Sequence, residues 1–497
     1  MTQDTYINHK IGILAIETYT SHQYVLQSEL ETHEHVSPGK FTIGLGQKGI
    51  ALTGDREDIN SICLTAVHNL LEKYDIDVTD VGRVEVGTET LVDKSKSTKT
   101  VLMDLFPNNT DIEGATIVNA CYGGTAALLN AFLWCDSNAY NGKYAIVVAG
   151  DIAAYDKGPA RPTGGMGAVA LLIGRDAPLT IDLRQRVTHA SHVWDFYKPD
   201  PSKETPVVDG VLSQVCYYQA LEDVYTRFCD VMSSGDVFGL KDYGVDTAKD
   251  TYFCFHAPYN KLVQKSFGRL CFLDARRRFH STTAADDEED DELKPYLTKP
   301  LEETYTDKTL EKILKNKSST MFHEKMKDAN YAGQWIGNTY TGSVFFGLAS
   351  LIDRLGGGDG GDLSVGKSIV MFSYGSGALA SMYRLQVRET TTSKHAKFSI
   401  PKMSSTLQLT QRLESRQKVA ANELDLALNT RAEMHHVGAP YTPVYPTEGR
   451  LLPGTYYLKE IDGQWRRFYE RISVDADFPV VKEEDVPLAP LSVLEKN

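Results

Sequence analysis

Apolar and polar positions divide this chain into short blocks of two kinds. In the first 180 residues, Ile11 to Ile16, Tyr144 to Ala149 and Ala168 to Ile173 are short, β-branched and almost wholly apolar, the signature of strands covered on both faces. Between them, Ile59 to Tyr74 and Thr125 to Cys135 repeat their apolar residues three and four positions apart, as packed helices do. This alternation predicts an α/β fold. A second set follows, with a helix over Val211 to Phe228, a strand over Thr251 to Phe255, a helix near Thr341 to Leu355 and a strand over Ser368 to Ser373. The two sets read as variations on one layout, although no repeat shows at the level of residue identity. They predict one half over residues 1–180 and another over 181–497, with an appended region from about residue 390 packed on the second half. That region holds charged helical sequence, Leu407 to Ala427, and strands over Thr455 to Ile461 and Gln464 to Tyr469.

Composition narrows the class. The 497 residues are 42% hydrophobic and 24% charged, ordinary for a soluble globular enzyme. No apolar run approaches the roughly 20 residues of a membrane span. A net charge of −14 argues against nucleic acid as the main partner, since phosphate backbones demand a basic footprint. A phosphate-bearing ligand would need locally clustered Lys and Arg. Seven cysteines, Cys63, Cys121, Cys135, Cys216, Cys229, Cys254 and Cys271, are scattered without C-x-x-C spacing, which suggests neither a disulfide framework nor a zinc site. The first residues lack a signal or transit peptide and the last lack a targeting motif, so the expected compartment is the cytosol. The acidic run Asp286 to Glu292 and the glycine stretch Gly356 to Gly361 read as surface loops without a catalytic role.

Several motifs are discounted. Gly44-Leu45-Gly46-Gln47-Lys48-Gly49 fits G-x-G-x-x-G, but its glycines do not open a helix directly, as a dinucleotide site requires. His323-Glu324, His33-Glu34-His35 and His435-His436 lack zinc-site spacing and read as surface histidines, and no P-loop sequence exists. No metal site is expected.

Three distant segments each offer a reactive group where a strand meets a loop, the place an α/β scaffold presents chemistry. In Asn119-Ala120-Cys121-Tyr122-Gly123-Gly124-Thr125 a thiol sits between a β-like approach and an apolar helix, whose N-terminal dipole favours the nucleophilic thiolate. Glu89 follows a β-like run and a glycine, and His256 ends the aromatic strand Phe253-Cys254-Phe255 just before Ala257-Pro258. Each has a structural alternative: a buried small hydrophobe for Cys121, a surface carboxylate or cap for Glu89, a hydrogen-bonded strand terminus for His256.

These segments are not isolated. With Val86-Gly87-Thr88-Glu89-Thr90, Asp93 to Ser97, Ala149-Gly150-Asp151-Ile152-Ala153, Arg161 to Gly165, Asp195-Phe196-Tyr197-Lys198-Pro199, Lys261 to Ser266, Gly337-Asn338 and Ser373-Tyr374-Gly375-Ser376-Gly377, the chain closely resembles the hydroxymethylglutaryl-CoA synthase family in its eukaryotic form. The resemblance runs over nearly the whole chain. It implies a thiolase-like fold, two similar halves in layered αβαβα architecture, with the site between them and homodimerisation. It also implies condensation of acetyl-CoA with acetoacetyl-CoA and water to 3-hydroxy-3-methylglutaryl-CoA and CoA, supplying sterol and isoprenoid precursors, with these thioesters as substrates and no cofactor. Cys121 would carry the acetyl group, Glu89 would take a methyl proton and His256 would polarise or protonate the ketone oxygen. The Cys121 amide and the Gly375-Ser376-Gly377 loop would form an oxyanion hole. Tyr122, Asp151, Asp195 and Asn338 match supporting positions, and Lys40, Thr163, Ser213, Lys261, Lys265, Asn338 and Ser376 match positions of CoA and acyl contact. Phe41 and Lys157-Gly158-Pro159 depart from the family pattern, which leaves details of CoA contact open. Rival readings are another thiolase-fold condensing enzyme, which would generally pair its sulfur with histidines or a second cysteine, a non-catalytic CoA-binding homologue, and a Cys/His thiol hydrolase.

Overall fold

The computed structural model describes residues 10–234, 242–281, 291–357 and 362–474, so most of the acidic run and of the glycine stretch lies outside the described residues. The first half has β1 (Gly12–Tyr19), α1 (Ile59–Lys73), β2 (Val81–Gly87), β3 (Thr116–Ile117), α2 (Gly123–Asp136), β4 (Tyr144–Ala153) and β5 (Gly165–Gly174); β1, α1, α2, β4 and β5 follow the apolar blocks, and β2 and β3 are the β-like approaches to Glu89 and Cys121. The second half has β6 (Leu179–Ala190), α3 (Gly210–Ser233), β7 (Thr251–Phe255), α4 (Asn260–Ser281), α5 (Ser343–Leu355), β8 (Ser368–Gly375) and β9 (Leu379–Val387). Neither β6 nor α4 stands out in the apolar periodicity. Half of β6 faces solvent, and α4 is largely polar, so neither has the apolar signal of a core element.

Strand pairing shows the duplication that residue identities hide. The nine strands form one sheet in the order β7-β8-β9-β6-β1-β5-β4-β2-β3. In the first half β2 runs parallel to β4, and β4 to β5 and β5 to β1 are antiparallel. In the second, β7 runs parallel to β8, and β8 to β9 and β9 to β6 are antiparallel. The halves join where Gly12 pairs Thr180 and Ile13 pairs Leu179. Helices α2 and α5 precede the corresponding strands β4 and β8. Residues Ser343 to Ile352 of α5 are buried, as befits a helix covered on all sides.

The appended region departs from expectation in two ways. Leu407 to Ala427 is not one helix: Gln408 takes a left-handed φ of 44°, and the Asp353 carboxylate accepts from the Leu409 and Thr410 amides to start a new helix. Next, Gln417–Val419 pairs in parallel with Gln23 to Val25. The region also lies on both halves, with helices Ile400–Leu407 and Leu409–Glu414 against α5 of the second half and the remainder against the first. Its helix α6 (Asn422–Val437) and hairpin β10 (Tyr456–Ile461) and β11 (Arg467–Arg471) cover α1 and the segment before it. The reason is polar: Asp55 and Asp58, both fully buried, accept bonds from Tyr441, Val444, Tyr445, Arg467 and Tyr469, donors that this region supplies.

Candidate active site

Cys121 sits in the turn from β3 into α2, two residues before the first helical residue and with φ at 53°. A left-handed β-carbon residue is strained, and such strain collects at functional turns. The turn is crowded from both sides by glycines. A Cβ on Gly375, at the end of β8, would lie 1.8 Å from the Ala120 carbonyl oxygen and 2.7 Å from the Tyr122 Cβ. One on Gly87 would lie 2.2 Å from the Gly124 nitrogen. Only glycine lets the two halves' strand ends approach the Cys121 turn this closely.

Glu89 lies two residues beyond β2 and reaches Cys121 directly. Its Oε2 accepts from the Cys121 amide at 2.7 Å. On its other oxygen the Lys198 ammonium stands 3.1 Å away. Burial pushes the Glu89 carboxyl up, with Lys198 the strongest influence pulling it down. The loop is held from behind by Asp151, a fully buried carboxylate in β4. One of its oxygens accepts from the Glu89 and Thr90 amides at 2.8 and 2.9 Å, and the other from the Thr341 amide at 3.0 Å. Asp151 thus ties the Glu89 loop to the turn that precedes α5.

His256 lies one residue beyond β7, the second half's counterpart of β2. Its amide donates to Phe372 at 2.8 Å and its carbonyl accepts from Tyr217 at 2.7 Å. Neither ring nitrogen has a partner among the described residues, and the ring is 1% exposed. Burial pushes this imidazole down to about 3, so at neutral pH it is uncharged and can donate one hydrogen bond and accept another. A cavity of about 700 Å³ is lined by Cys121, His256, Asn338 and Ser376, with Tyr155, Tyr340 and Phe196. Glu89 lines a second cavity of about 410 Å³ behind this wall, which also reaches Ala120, Phe196 and Lys198. Cys121 and the Glu89 carboxylate therefore line different cavities while the Cys121 amide and that carboxylate meet in the wall between them.

The family models for hydroxymethylglutaryl-coenzyme A synthase match end to end, the N terminal one over residues 7–178 and the C terminal one over 179–472. The chain belongs to the hydroxymethylglutaryl-CoA synthase family. It is 44% identical over 468 residues to hydroxymethylglutaryl-CoA synthase 2 of Blattella germanica, covering 93% of this chain and 98% of that one. It is 43% identical over 474 residues to the cytoplasmic hydroxymethylglutaryl-CoA synthase of Homo sapiens, covering 93% and 87%. Among solved structures, MvaS in complex with 3-hydroxy-3-methylglutaryl coenzyme A matches with a TM-score of 0.77 at 27% identity, covering 93% of this chain and 99% of that one. The fold is accordingly thiolase-like, built of two similar α/β halves, and the protein is an enzyme, an acyltransferase.

Not every residue expected from this synthase family's motifs stands where the motifs suggest. Thr163, Ser213, Asn338 and Ser376 line the main cavity with Cys121 and His256. Asp195 is fully buried, accepting from Tyr374 at 3.1 Å and from the Gly377 amide at 3.0 Å, so it shapes the Gly375-Ser376-Gly377 loop from behind. Tyr122 turns away from the cavity, its hydroxyl 2.6 Å from that of Ser381. The Cys121 amide, expected as an oxyanion donor, is occupied by Glu89. The expected thiolate is also not the resting state: burial, Glu89 and Asp151 push the thiol well up, outweighing Lys198.

Lys40 is exposed in a loop organised by the Glu31 carboxylate, and that loop docks on α4, where the Lys261 amide donates to the Leu45 carbonyl at 2.8 Å. Lys265 pairs with Glu311 at 3.2 Å, and Lys261 is pushed down by burial and by nearby Lys315 and Lys265. The lysines thus share one side of the molecule. His33 and His435 are not free surface histidines: they pair with Asp425 at 2.9 Å and Glu204 at 3.3 Å. His33, Glu34 and Asp425 converge, but Arg161 and Lys157 already occupy Asp425 as cations. Lys198, Tyr340 and Tyr155 carry no signal in the sequence that marks them individually as site residues. Tyr340 leaves only a trace: Asn338-Thr339-Tyr340-Thr341-Gly342 before α5 parallels Asn119-Ala120-Cys121-Tyr122-Gly123 before α2, and Tyr340 shares the left-handed φ, at 43°.

Proposed function

We propose that this enzyme condenses acetyl-CoA with acetoacetyl-CoA and water to give 3-hydroxy-3-methylglutaryl-CoA and CoA, with an acetyl group held on Cys121. The observation that carries this reading is the contact of Glu89 with Cys121 beside a cavity shared by the Cys121 thiol and an unpartnered His256. In the first step the Cys121 sulfur attacks the acetyl thioester carbonyl, the thiol proton passes to the departing sulfur, and CoA leaves as the thiol. The thioester so formed keeps its methyl protons acidic, and Glu89 removes one; a carboxylate raised by burial has the base strength this needs. The methyl carbon then bonds to the acetoacetyl ketone carbon. His256, neutral, donates its ring N–H to the ketone oxygen, which ends as the tertiary hydroxyl after receiving a proton. Water finally cleaves the bond to Cys121 and restores the thiol. With the Cys121 and Gly377 amides already engaged by Glu89 and Asp195, the Ser376 amide at the cavity wall is the candidate oxyanion donor.

Lys40, Lys261 and Lys265, near the cavity-lining Leu45, Tyr259 and Leu262 in sequence, would meet CoA phosphates as a local cationic patch on an acidic protein. Acyl-CoA substrates are supported by the family and by the matching MvaS, solved in complex with 3-hydroxy-3-methylglutaryl coenzyme A. Homodimerisation through the sheet edge is supported by exposed Leu91 and Val118 beside β3. A cytosolic role in isoprenoid and sterol precursor supply is the reading for the pathway, although relatives carry cytoplasmic and mitochondrial names alike. The deciding experiment mixes the protein with labelled acetyl-CoA, with and without acetoacetyl-CoA. Glu89→Gln should still gain acetyl mass on the Cys121 peptide, because losing the anion and freeing Lys198 both favour the thiolate, yet fail to condense. Cys121→Ser should lose both steps. Equal acetylation in the two variants contradicts the assigned roles.

A further inference from the structure

The base assigned above lies in a site that works against it. The Glu89 side chain is 6% exposed, and both burial and the neighbouring Asp151 favour its neutral form. One cation reaches it among the described residues. Lys198 follows the short strand Phe196–Tyr197, which pairs antiparallel with Val207–Val208, and its ammonium stands 3.1 Å from Glu89 Oε1. The same ammonium lies 4.7 Å from the centre of the Tyr340 ring and 5.8 Å from that of Phe196. Aromatic faces hold a partly desolvated cation without neutralising it. Tyr340 belongs to the turn before α5, and Asp151 binds that turn to the Glu89 loop, so carboxylate, ammonium and ring are fixed by one network.

We propose that Lys198 is a positioning residue for the reaction: held against Tyr340 and Phe196, it keeps the Glu89 carboxylate ionised and aimed at Cys121. This rests on the reading of Glu89 as the base. Lys198 touches Glu89 and not the reacting carbon, so its effect passes through the proton-removal step. Without the cation, burial and Asp151 act on Glu89 unopposed, except for the Cys121 amide. The carboxyl then holds its proton to higher pH, and the acid limb of proton removal moves up. Other groups face the same space. The Cys121 thiol and the Tyr155 and Tyr340 phenols are all pushed up by burial, away from this limb. Across the second cavity stand Asp93, held low by turn amides, Asp200, held low by Ser202, and Glu204, held low by Arg431, together with Tyr197, Lys94, Lys203 and His435.

Methyl-proton exchange isolates the step. Enzyme already acetylated on Cys121 is moved into deuterated buffer across a range of pH, and exchange is read from the mass of the Cys121 peptide. Lys198→Met should displace the acid limb upward by about one pH unit or more, about a tenfold loss of exchange on that limb. Lys198→Arg, which keeps a cation, should restore most of it. If Lys198→Met does not fold, Lys198→Gln, which retains a hydrogen bond but no charge, carries the same expectation. A limb unmoved in the neutral variants, or moved equally in Lys198→Arg, overturns the proposal. So does an equal displacement in His435→Gln, which would assign the limb to that imidazole. Persistent exchange in Glu89→Gln would instead sink the reading of Glu89 as base, so the two failures are distinct.

Discussion

Asp151→Asn is the perturbation that most directly probes how the site is held. The native carboxylate accepts from the Thr88 hydroxyl at 2.7 Å, the Glu89 amide at 2.8 Å, and the Thr90 amide and hydroxyl at 2.9 and 2.8 Å, all on one oxygen. Its other oxygen accepts from the Thr341 amide at 3.0 Å and hydroxyl at 2.6 Å. All of these donors must be satisfied inside a site with no exposure to water at Asp151. An asparagine keeps one acceptor and turns an NH₂ toward the other set. If its oxygen faces the Glu89 loop, the Thr341 amide loses its acceptor and confronts a donor, while the remaining bonds lose charge assistance. A buried donor left unmade costs about 1–3 kcal/mol and each charge-assisted bond is stronger than a neutral one by about 1 kcal/mol. Crowding on one oxygen makes these losses less than additive, so the expected destabilisation is about 4 kcal/mol. Urea denaturation followed by tryptophan fluorescence would measure it. In the folded fraction, methyl exchange on acetyl-Cys121 should fall more than acetylation itself, because the Glu89 loop shifts while the thiol turn stays anchored on α2. A variant within about 0.5 kcal/mol of native stability, or one that loses acetylation and exchange equally, would refute this account.

Gly375→Ala places a methyl 1.8 Å from the Ala120 carbonyl oxygen, a contact that only backbone movement relieves, so the Cys121 turn should be displaced. Acetylation should drop at least about a hundredfold, in the range a misplacement of about 1 Å produces, and a near-native acetylation rate would show that the turn yields freely. His256 gives a pH dependence of stability. Its folded value, pushed down to about 3, lies below the ordinary histidine value near 6.5, so the unfolded chain binds the extra proton between them. The stability from its neutral burial is complete above about pH 6.5 and is lost as pH falls toward 3, at up to about 1.4 kcal/mol per pH unit. Denaturation of native protein and of His256→Gln at about pH 7.5 and about pH 5.5, on either side of the ordinary histidine value, should show a smaller acid loss in the variant; parallel losses would remove His256 as the source.

Apolar periodicity alone determined that the chain is α/β and where its buried strands and helices run, because a strand covered on both faces or a helix in mid-layer has few polar choices at any position. β7 over Thr251–Phe255 and α1 over Ile59–Lys73 were legible for that reason. Elements with a wet face, such as β6 and α4, left no such imprint. The pattern marked Cys121, Glu89 and His256 as candidates beside strand ends and a helix start, but left a structural alternative for each; only the resemblance to the synthase family set them apart. Tertiary structure decided the rest. That the two halves repeat one strand order is a fact of hydrogen-bonded register, which residue identities do not record. That Glu89 takes the Cys121 amide, that the thiol rests protonated, and that Lys198 stands against Glu89 all depend on distances between segments far apart in sequence. Charge state follows from burial and from the nearest opposite charge, and neither exists until the chain has folded.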